Sequence, residues 1–258
     1  MNRIDQLFKR LHKEHRCGMI AYVTCGDPSV DATVDIVQSL IANGAAAIEL
    51  GVPFSDPIAD GPVIQAAAQR ALERGTTIVD LFKIARKIRE SNDSTPLIAF
   101  SYLNPILRYG TERFAIDAAA AGIDGVLITD LPPEAKDNTF KTRGLASIFL
   151  LAPTSSDARI TAIDRASEGF VYYVSTTGVT GARNELDPAL LARLEEIRGR
   201  LKKPIAVGFG ISKPEHYAAL RDRCDAIVIG SAIVRAIAAG DPSGAAERAG
   251  AVVRAIVG

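Results

Sequence analysis

The 258-residue sequence has little cysteine and no excess of charge of either sign. The three cysteines, Cys17, Cys25 and Cys224, are odd in number and include no C-x-x-C pair. A disulfide framework or a zinc ribbon is therefore not expected, and a reducing cytoplasm fits best. Basic and acidic residues number 30 each. Nucleic-acid-binding proteins normally carry a basic excess, so we expect no nucleic-acid partner, although one local site can still bind a small anion.

Long apolar runs are missing as well. No run approaches the roughly 18 residues of a membrane-spanning helix, and the short stretch Gly18–Val23 follows the acidic residues Asp5 and Glu14, unlike a signal peptide. We therefore expect a soluble, cytoplasmic chain with no membrane partner. With 48% hydrophobic and 23% charged residues, the composition is that of an ordinary globular protein.

Short apolar, β-branched runs alternate with helical patterns along the whole chain. Such alternation predicts βαβ units and a parallel sheet. The runs are almost continuously apolar, as expected for strands that are covered on both faces. Helical spacing occurs at 30–43, 78–90, 188–200 and 214–221, and the eight strand-like runs lie at 19–24, 46–50, 96–102, 123–129, 145–151, 170–175, 204–209 and 225–230.

Eight such units in a chain of this length predict a single (β/α)8 TIM-barrel domain over residues 1–258. A doubly wound open sheet is the alternative, but it calls for a G-x-G-x-x-G motif after the first strand, where the sequence reads CGDPSVD. Two additions to the barrel are expected. The segment RIDQLFKRLHKEH predicts an extra N-terminal helix at the bottom of the barrel, and an enlarged loop after strand 2 carries two helices, at 62–74 and 78–90.

Two acidic residues stand out because catalytic groups of this fold lie at the carboxyl ends of the strands. Glu49 ends strand 2 among Ala, Ile and Leu, where desolvation would raise its pKa and suit it to proton transfer. The alternative is a glutamate that caps a backbone group. Asp56 and Asp60 follow in the loop GVPFSDPIADGPVIQ. Asp56 fits a turn residue better, while a catalytic role and a capping role stay equally open for Asp60.

Glycine-bearing turns follow strands 7 and 8, with GFG at 208–210 and GSAI at 230–233. In this fold a phosphate often binds between these two turns, against the N–H groups that begin a short helix. Ordinary barrel turns are the alternative. The polar segment STTGVTGARNELD at 175–187 follows strand 6 and is either a lid over this site or a connection without function, with Thr180 and Gly181 nearest a ligand.

Other catalytic classes lack their residues. The three histidines form no metal-ligand pattern, and none of the nine lysines lies inside a strand, so neither a zinc aldolase nor a Schiff-base aldolase is expected. Cys25 has no histidine partner in the sequence and is interpreted as a structural thiol. What remains is acid–base chemistry by carboxylates on a phosphorylated substrate, without a metal.

The segment IELGVPFSDPIADGPVIQ at 48–65 closely resembles the signature of the tryptophan synthase alpha chain family. Further similar segments follow the family's order: YVTCGDPS, SYLNPI, GVLITDLPPEA, LAPTSS, GVTGAR, VGFGIS and VIGSAIV. The resemblance implies a barrel that cleaves indole-3-glycerol phosphate into indole and glyceraldehyde 3-phosphate, a retro-aldol reaction without a cofactor. Glu49 then matches the acid–base residue, Asp60 the carboxylate that pairs with the indole N–H, and Tyr172 a tyrosine near the catalytic glutamate.

The same resemblance implies the binding residues. Thr180 would close the lid by bonding Asp60. Tyr22 stands where Phe is common and Phe100 where Leu is common, which leaves both carboxylates in place. The implied indole pocket comprises Tyr22, Phe100, Leu127 and Phe209, with Tyr102 beside it, and the implied phosphate site comprises Gly181, Gly210, Gly230 and Ser231.

The family's alpha chains pair with a beta chain that holds pyridoxal phosphate, in an α2β2 heterotetramer, and indole passes to the beta chain through a tunnel. The implied partner-facing residues are Pro53, Asp56, Pro57, Asn104, Asp130, Leu131 and Pro132. Three other functions stay open: a non-catalytic, ligand-sensing subunit that activates a beta partner, a stand-alone lyase, and a phosphosugar isomerase. The isomerase would share the phosphate turns but would not explain PFSDPIADGP.

Overall fold

The computed structural model of the chain describes residues 2–135, 138–174, 188–208 and 213–258. Eight parallel strands form a closed barrel in chain order, and β8 pairs with β1. This confirms the (β/α)8 TIM barrel and excludes the open sheet. Every strand lies within two residues of its predicted bounds: β1 Gly18–Thr24, β2 Ala47–Gly51, β3 Leu97–Ser101, β4 Gly125–Ile128, β5 Ala146–Leu151, β6 Val171–Val174, β7 Ile205–Gly208 and β8 Ala226–Ile229.

The helices surround the barrel, and several begin at recognisable caps. The Ser29 hydroxyl accepts the Ala32 N–H at the start of α2, and Thr77 and Asp80 form a capping box at the start of α4. The described residues form twelve α-helices: α1 Arg3–Lys13, α2 Val30–Ala42, α3 Pro62–Glu73, α4 Ile78–Ser91, α5 Leu103–Tyr109, α6 Thr111–Ala120, α7 Thr139–Thr142, α8 Asp157–Ala166, α9 Pro188–Arg198, α10 Pro214–Leu220, α11 Ser231–Ala238 and α12 Ala245–Val257.

Side chains alternate between the two faces of each strand and so divide the core into an outer and an inner cluster. Along β1, Met19 and Ala21 belong to the outer cluster, which the surrounding helices cover, whereas Ile20 and Tyr22 belong to the inner one. Helix α1 closes the lower end of the barrel, as the sequence predicts. Its buried residues join the inner cluster: Ile4, Leu7, Phe8 and Leu11.

A buried carboxylate fixes the lower end of the barrel. Asp124 precedes β4 and is 4% exposed. It accepts hydrogen bonds from Arg3 of α1 at 2.9 Å, from Arg89 of α4 at 2.8 Å and from the Leu97 N–H of β3 at 2.9 Å. Buried charges must be paired in this way to be tolerated. The network therefore holds α1 against the strands whose other ends carry the site.

Candidate active site

The carboxyl ends of the strands bring the predicted inward-facing residues together. Tyr22 of β1 pairs in register with Glu49 of β2, and Phe100 of β3 pairs with Leu127 of β4. Tyr172 of β6 belongs to the same inner cluster as Tyr22 and Phe100. Because all eight strands are parallel, their carboxyl ends meet at one end of the barrel, which here forms the floor of a single site.

Glu49 is fully buried, with 0% of its surface exposed. Among the described residues neither of its carboxyl oxygens has a hydrogen-bond partner. Burial disfavours the charged form and raises the pKa of Glu49 from 4.5 to about 8. A carboxyl group with such a pKa holds its proton at neutral pH and can both donate and accept one during a reaction.

Asp60 lies in the loop after β2, half-buried, and Tyr102 holds it in place. The Tyr102 hydroxyl donates to Asp60 Oδ2 at 3.0 Å and accepts the Ala59 N–H at 2.9 Å. Gln65 of α3 donates to the Asp60 carbonyl oxygen at 2.8 Å. Burial raises the pKa of Asp60 to about 6, and the Tyr102 hydrogen bond partly opposes this rise. Asp60 is therefore ionised above that pH and held in one orientation.

The charges of these carboxylates act on two buried tyrosines, Tyr22 and Tyr172. Burial raises the pKa of Tyr22 well above its usual value, and the charge of Asp60 raises it further. Burial likewise raises the pKa of Tyr172, with Glu49 and then Asp60 as the next causes. Both phenols therefore keep their protons at neutral pH. The structure thus brings together the three predicted catalytic residues, Glu49, Asp60 and Tyr172.

Each tyrosine leans over a glycine of the next strand. A side chain at Gly51 of β2 would collide with the Tyr22 hydroxyl, and a side chain at Gly208 of β7 would collide with the Tyr172 hydroxyl. The Thr24 hydroxyl contacts the Tyr22 oxygen at 3.5 Å. Neither Thr24, two residues further along β1, nor Gly51 of β2 is a predicted site residue, because such contacts depend on the direction in which the Tyr22 side chain leans.

Aromatic and aliphatic side chains form the remaining wall. Tyr22 and Phe100 meet edge to face with ring centroids 5.3 Å apart, and Leu127 is fully buried. Tyr102 packs on Phe54 at 5.2 Å. Of the predicted pocket residues, Phe209 falls outside the described residues.

The turn after β8 carries two of the predicted phosphate residues. Gly230 is the N-cap of α11, and Ser231 is its first residue. The first N–H groups of a helix have no acceptor within the helix and are therefore available to an anion. A Cβ on Gly230 would stand 3.4 Å from the Cβ of Tyr22, so this turn borders the carboxylate site. Gly181, Gly210 and Thr180 fall outside the described residues.

The predicted partner-facing residues lie in the loops around the mouth. Asp130 Oδ1 accepts the Leu103 N–H at 2.7 Å and so links the loops after β4 and β3. Two large apolar side chains are exposed nearby: Ile58 of the loop after β2 at 84%, and Leu107 of α5 at 58%. Neither is a predicted interface residue. Of the predicted residues, the exposed ones are Asp56, Asn104, Asp130 and Pro132, the half-buried ones Pro57 and Leu131, and the buried one Pro53.

The described part of the chain offers no alternative catalytic centre. It contains no group of three or more His, Cys, Asp or Glu side chains placed to hold a metal ion. Cys25 is fully buried, and burial raises the pKa of its thiol. Lys202 and Lys203 precede β7 and so lie at the opposite end of the barrel. Carboxylate acid–base chemistry is the chemistry that these residues can carry out.

Known proteins share both the sequence and the fold. The family model described as tryptophan synthase alpha chain matches residues 8–255. A tryptophan synthase alpha chain of Solibacter usitatus is 51% identical over 96% of this chain and 93% of its own length.

Two solved structures superpose closely. The tryptophan synthase subunit alpha of Legionella pneumophila has a TM-score of 0.90 at 36% identity, covering 99% of this chain and 97% of its own. A structure of the tryptophan synthase α2β2 complex of Pyrococcus furiosus has a TM-score of 0.87 at 37% identity, covering 93% and 97%. This chain belongs to the tryptophan synthase alpha chain family.

Proposed function

We propose that Glu49 and Asp60 are the catalytic carboxylates of this chain. As a member of its family the chain is a carbon–carbon lyase of tryptophan biosynthesis, which cleaves indole-3-glycerol phosphate into indole and glyceraldehyde 3-phosphate. The observation that carries the proposal is the environment of Glu49: a fully buried carboxyl group, without a hydrogen-bond partner among the described residues, whose pKa is about 8.

Cleavage requires two proton movements at neighbouring atoms. A proton must reach C3 of the indole ring, and the hydroxyl group on the adjacent side-chain carbon must lose one. When that hydroxyl is deprotonated, its electrons form the aldehyde, the bond to C3 breaks, and the bonding pair restores the aromatic ring. Protonated Glu49 can supply the first proton and its carboxylate can accept the second, so the residue returns to its starting form.

Asp60 supports the same step electrostatically. Protonation at C3 places positive charge on the ring nitrogen, and a carboxylate that accepts the ring N–H stabilises that charge where it develops. The Tyr102 hydrogen bond at 3.0 Å fixes Asp60 for this contact. Tyr172, which shares the electrostatic environment of both carboxylates, would line the site next to Glu49.

The substrate's two ends fit the two remaining parts of the site. The indole ring would pack against Phe100 and Leu127, which are buried and apolar. The phosphate would bind the N–H groups at Gly230 and Ser231, where α11 begins. By resemblance, Gly181 and Gly210 add to the phosphate site, Phe209 adds to the indole pocket, and Thr180 closes the lid by bonding Asp60.

We further propose that the exposed loops contact a tryptophan synthase beta chain within an α2β2 heterotetramer. Asp56 and Ile58 share the loop after β2, Asn104 and Leu107 share α5, and Asp130 follows β4. Ile58 and Leu107 are large, apolar and exposed beside these polar residues, a combination that suits a protein interface. In this arrangement the beta chain would hold pyridoxal phosphate and receive the indole, while the alpha chain, one domain acting in the cytoplasm, would need neither a cofactor nor a metal. None of the helices in the described residues has the length and hydropathy of a membrane-spanning segment.

Indole release tests the function. The purified chain, incubated with indole-3-glycerol phosphate, should release indole, and a beta chain should accelerate the release. Absence of indole under both conditions would overturn the proposal. Activation of the beta chain without turnover by the alpha chain would favour a ligand-sensing subunit, and release unaffected by a beta chain would favour a stand-alone lyase.

A further inference from the structure

The Tyr22 hydroxyl is a polar group in a wall that is otherwise apolar. Its ring packs edge to face on Phe100, and its oxygen lies over Gly51, two residues beyond Glu49. The neighbouring Thr24 hydroxyl donates to this oxygen at 3.5 Å. No described residue accepts the Tyr22 hydroxyl proton in turn. The side chain is only 7% exposed, so bulk water has little access to this donor.

The direction of the side chain matters as much as its burial. At one end, Gly230 of the phosphate turn lies against the Tyr22 side chain, and a Cβ on Gly230 would stand 3.4 to 3.6 Å from its Cβ, Cγ and Cδ1. At the other end, the hydroxyl reaches the end of β2, where Glu49 lies. Tyr22 therefore extends from the phosphate turn to Gly51, two residues beyond the acid–base residue Glu49.

The proposed substrate must follow the same path. Its phosphate is joined to the indole ring by a three-carbon chain with two hydroxyl groups, one of them on the carbon whose bond to C3 breaks. If the phosphate binds at Gly230 and the ring lies beside Glu49, that chain passes along Tyr22. An unused donor in a buried site is costly unless a ligand supplies the acceptor.

We infer that the Tyr22 hydroxyl donates a hydrogen bond to a side-chain hydroxyl oxygen of indole-3-glycerol phosphate and so positions the chain between the phosphate turn and Glu49. This inference rests on the proposed function. Burial keeps the pKa of the phenol well above its usual value, so the donor is present throughout the working pH range. A phenylalanine at this position would keep the ring contacts and remove only the donor.

Two ligands separate this role from packing. Indole-3-glycerol phosphate carries both hydroxyl groups, whereas indole-3-propanol phosphate carries the same ring and phosphate and neither hydroxyl. For Tyr22→Phe we expect kcat/KM for the substrate to fall about three- to tenfold, the usual effect of losing one neutral hydrogen bond. The inhibition constant of the propanol analogue should stay within about twofold of the wild-type value, because this ligand never made the bond.

Each contrary outcome has a distinct meaning. If kcat/KM does not fall, or if the analogue's binding weakens by the same factor, the hydroxyl does not bind the substrate's chain and the inference is wrong. Failure of the proposed function is separate, since it would appear as a wild-type chain that releases no indole. The analogue titration also reports whether the variant keeps a folded site, so a misfolded variant would not be mistaken for a positive result.

Discussion

Replacing Glu49 by glutamine should stabilise the chain by an amount that grows with pH. The folded state holds the Glu49 proton more tightly than the unfolded state, because burial raises the pKa from 4.5 to about 8. Below pH 4.5 both states are protonated and the difference vanishes. Between the two pKa values only the unfolded chain ionises, so the wild-type chain loses stability as pH rises. Glutamine, which does not titrate, removes this loss.

The size of the effect follows from the two pKa values. Each pH unit within the interval costs about 1.4 kcal/mol of unfolding free energy. At pH 7, about 2.5 units above the unfolded pKa, the wild-type chain should be destabilised by about 3 kcal/mol, and above pH 8 the loss should level off near 5 kcal/mol. The buried amide of glutamine carries its own cost of an unpaired polar group, but that cost does not change with pH.

Urea unfolding of the free chain at pH 5, 6, 7 and 8 measures this difference. We expect the gap between Glu49→Gln and wild type to widen steadily over this range, with equal m-values for both proteins. Glu90→Gln is the matched control: Glu90 is exposed on α4, so its replacement should produce no comparable widening. A gap for Glu49→Gln that stays constant from pH 5 to pH 8 would refute a raised pKa for this buried carboxyl group.

Three further changes test other parts of the structure. Asp124→Asn removes the charge that pairs with Arg3 and Arg89 and should lower the unfolding free energy by about 3 to 5 kcal/mol in urea titrations. A loss below about 1 kcal/mol would contradict a structural role for these ion pairs. Tyr102→Phe removes a hydrogen bond that lowers the pKa of Asp60, so the acidic limb of the kcat/KM profile should move to higher pH. An acidic limb at the wild-type pH would show that Tyr102 does not influence the ionisation of Asp60. Ile58→Ser should weaken binding of a beta chain about tenfold or more, because it removes an apolar side chain that the interface would bury. The lyase activity of the free chain should stay unchanged. Equal affinities of variant and wild type in calorimetry would show that Ile58 does not contribute to the interface.

The barrel is readable from the sequence because its strands are short, apolar and regularly spaced. Periodicity predicts the strand over 123–129, and the hydrogen-bonded ladder occupies Gly125–Ile128. Outside these bounds Ile123 donates to the Ala118 carbonyl of α6, and Asp124 and Thr129 still donate to carbonyl groups of β3, so the apolar pattern extends beyond the strand itself. The helices α5 and α6 after β3 have no readable helical pattern, since each is short and Gly110 between them interrupts the spacing.

The sequence predicts a site residue where its position along the chain alone decides its environment. Glu49 ends a buried strand, so its desolvation follows from its neighbours along the chain. Contacts that depend on the direction of a side chain were not predictable in the same way. The Tyr22 hydroxyl meets Thr24 of its own strand and Gly51 of β2 only because its ring leans towards them. The exposure of Ile58 depends on the conformation of the loop around it.

Single-turnover measurement of indole release by Glu49→Gln tests most directly whether Glu49 moves the protons of the reaction. Binding of indole-3-propanol phosphate is measured on the same sample, so that loss of chemistry is distinguished from loss of the site. We expect release to fall by at least about 1000-fold, within the range for removal of a general acid–base group, with analogue affinity unchanged. Release at more than about a tenth of the wild-type rate, with the analogue still bound, would contradict the assignment of Glu49 as the acid–base residue.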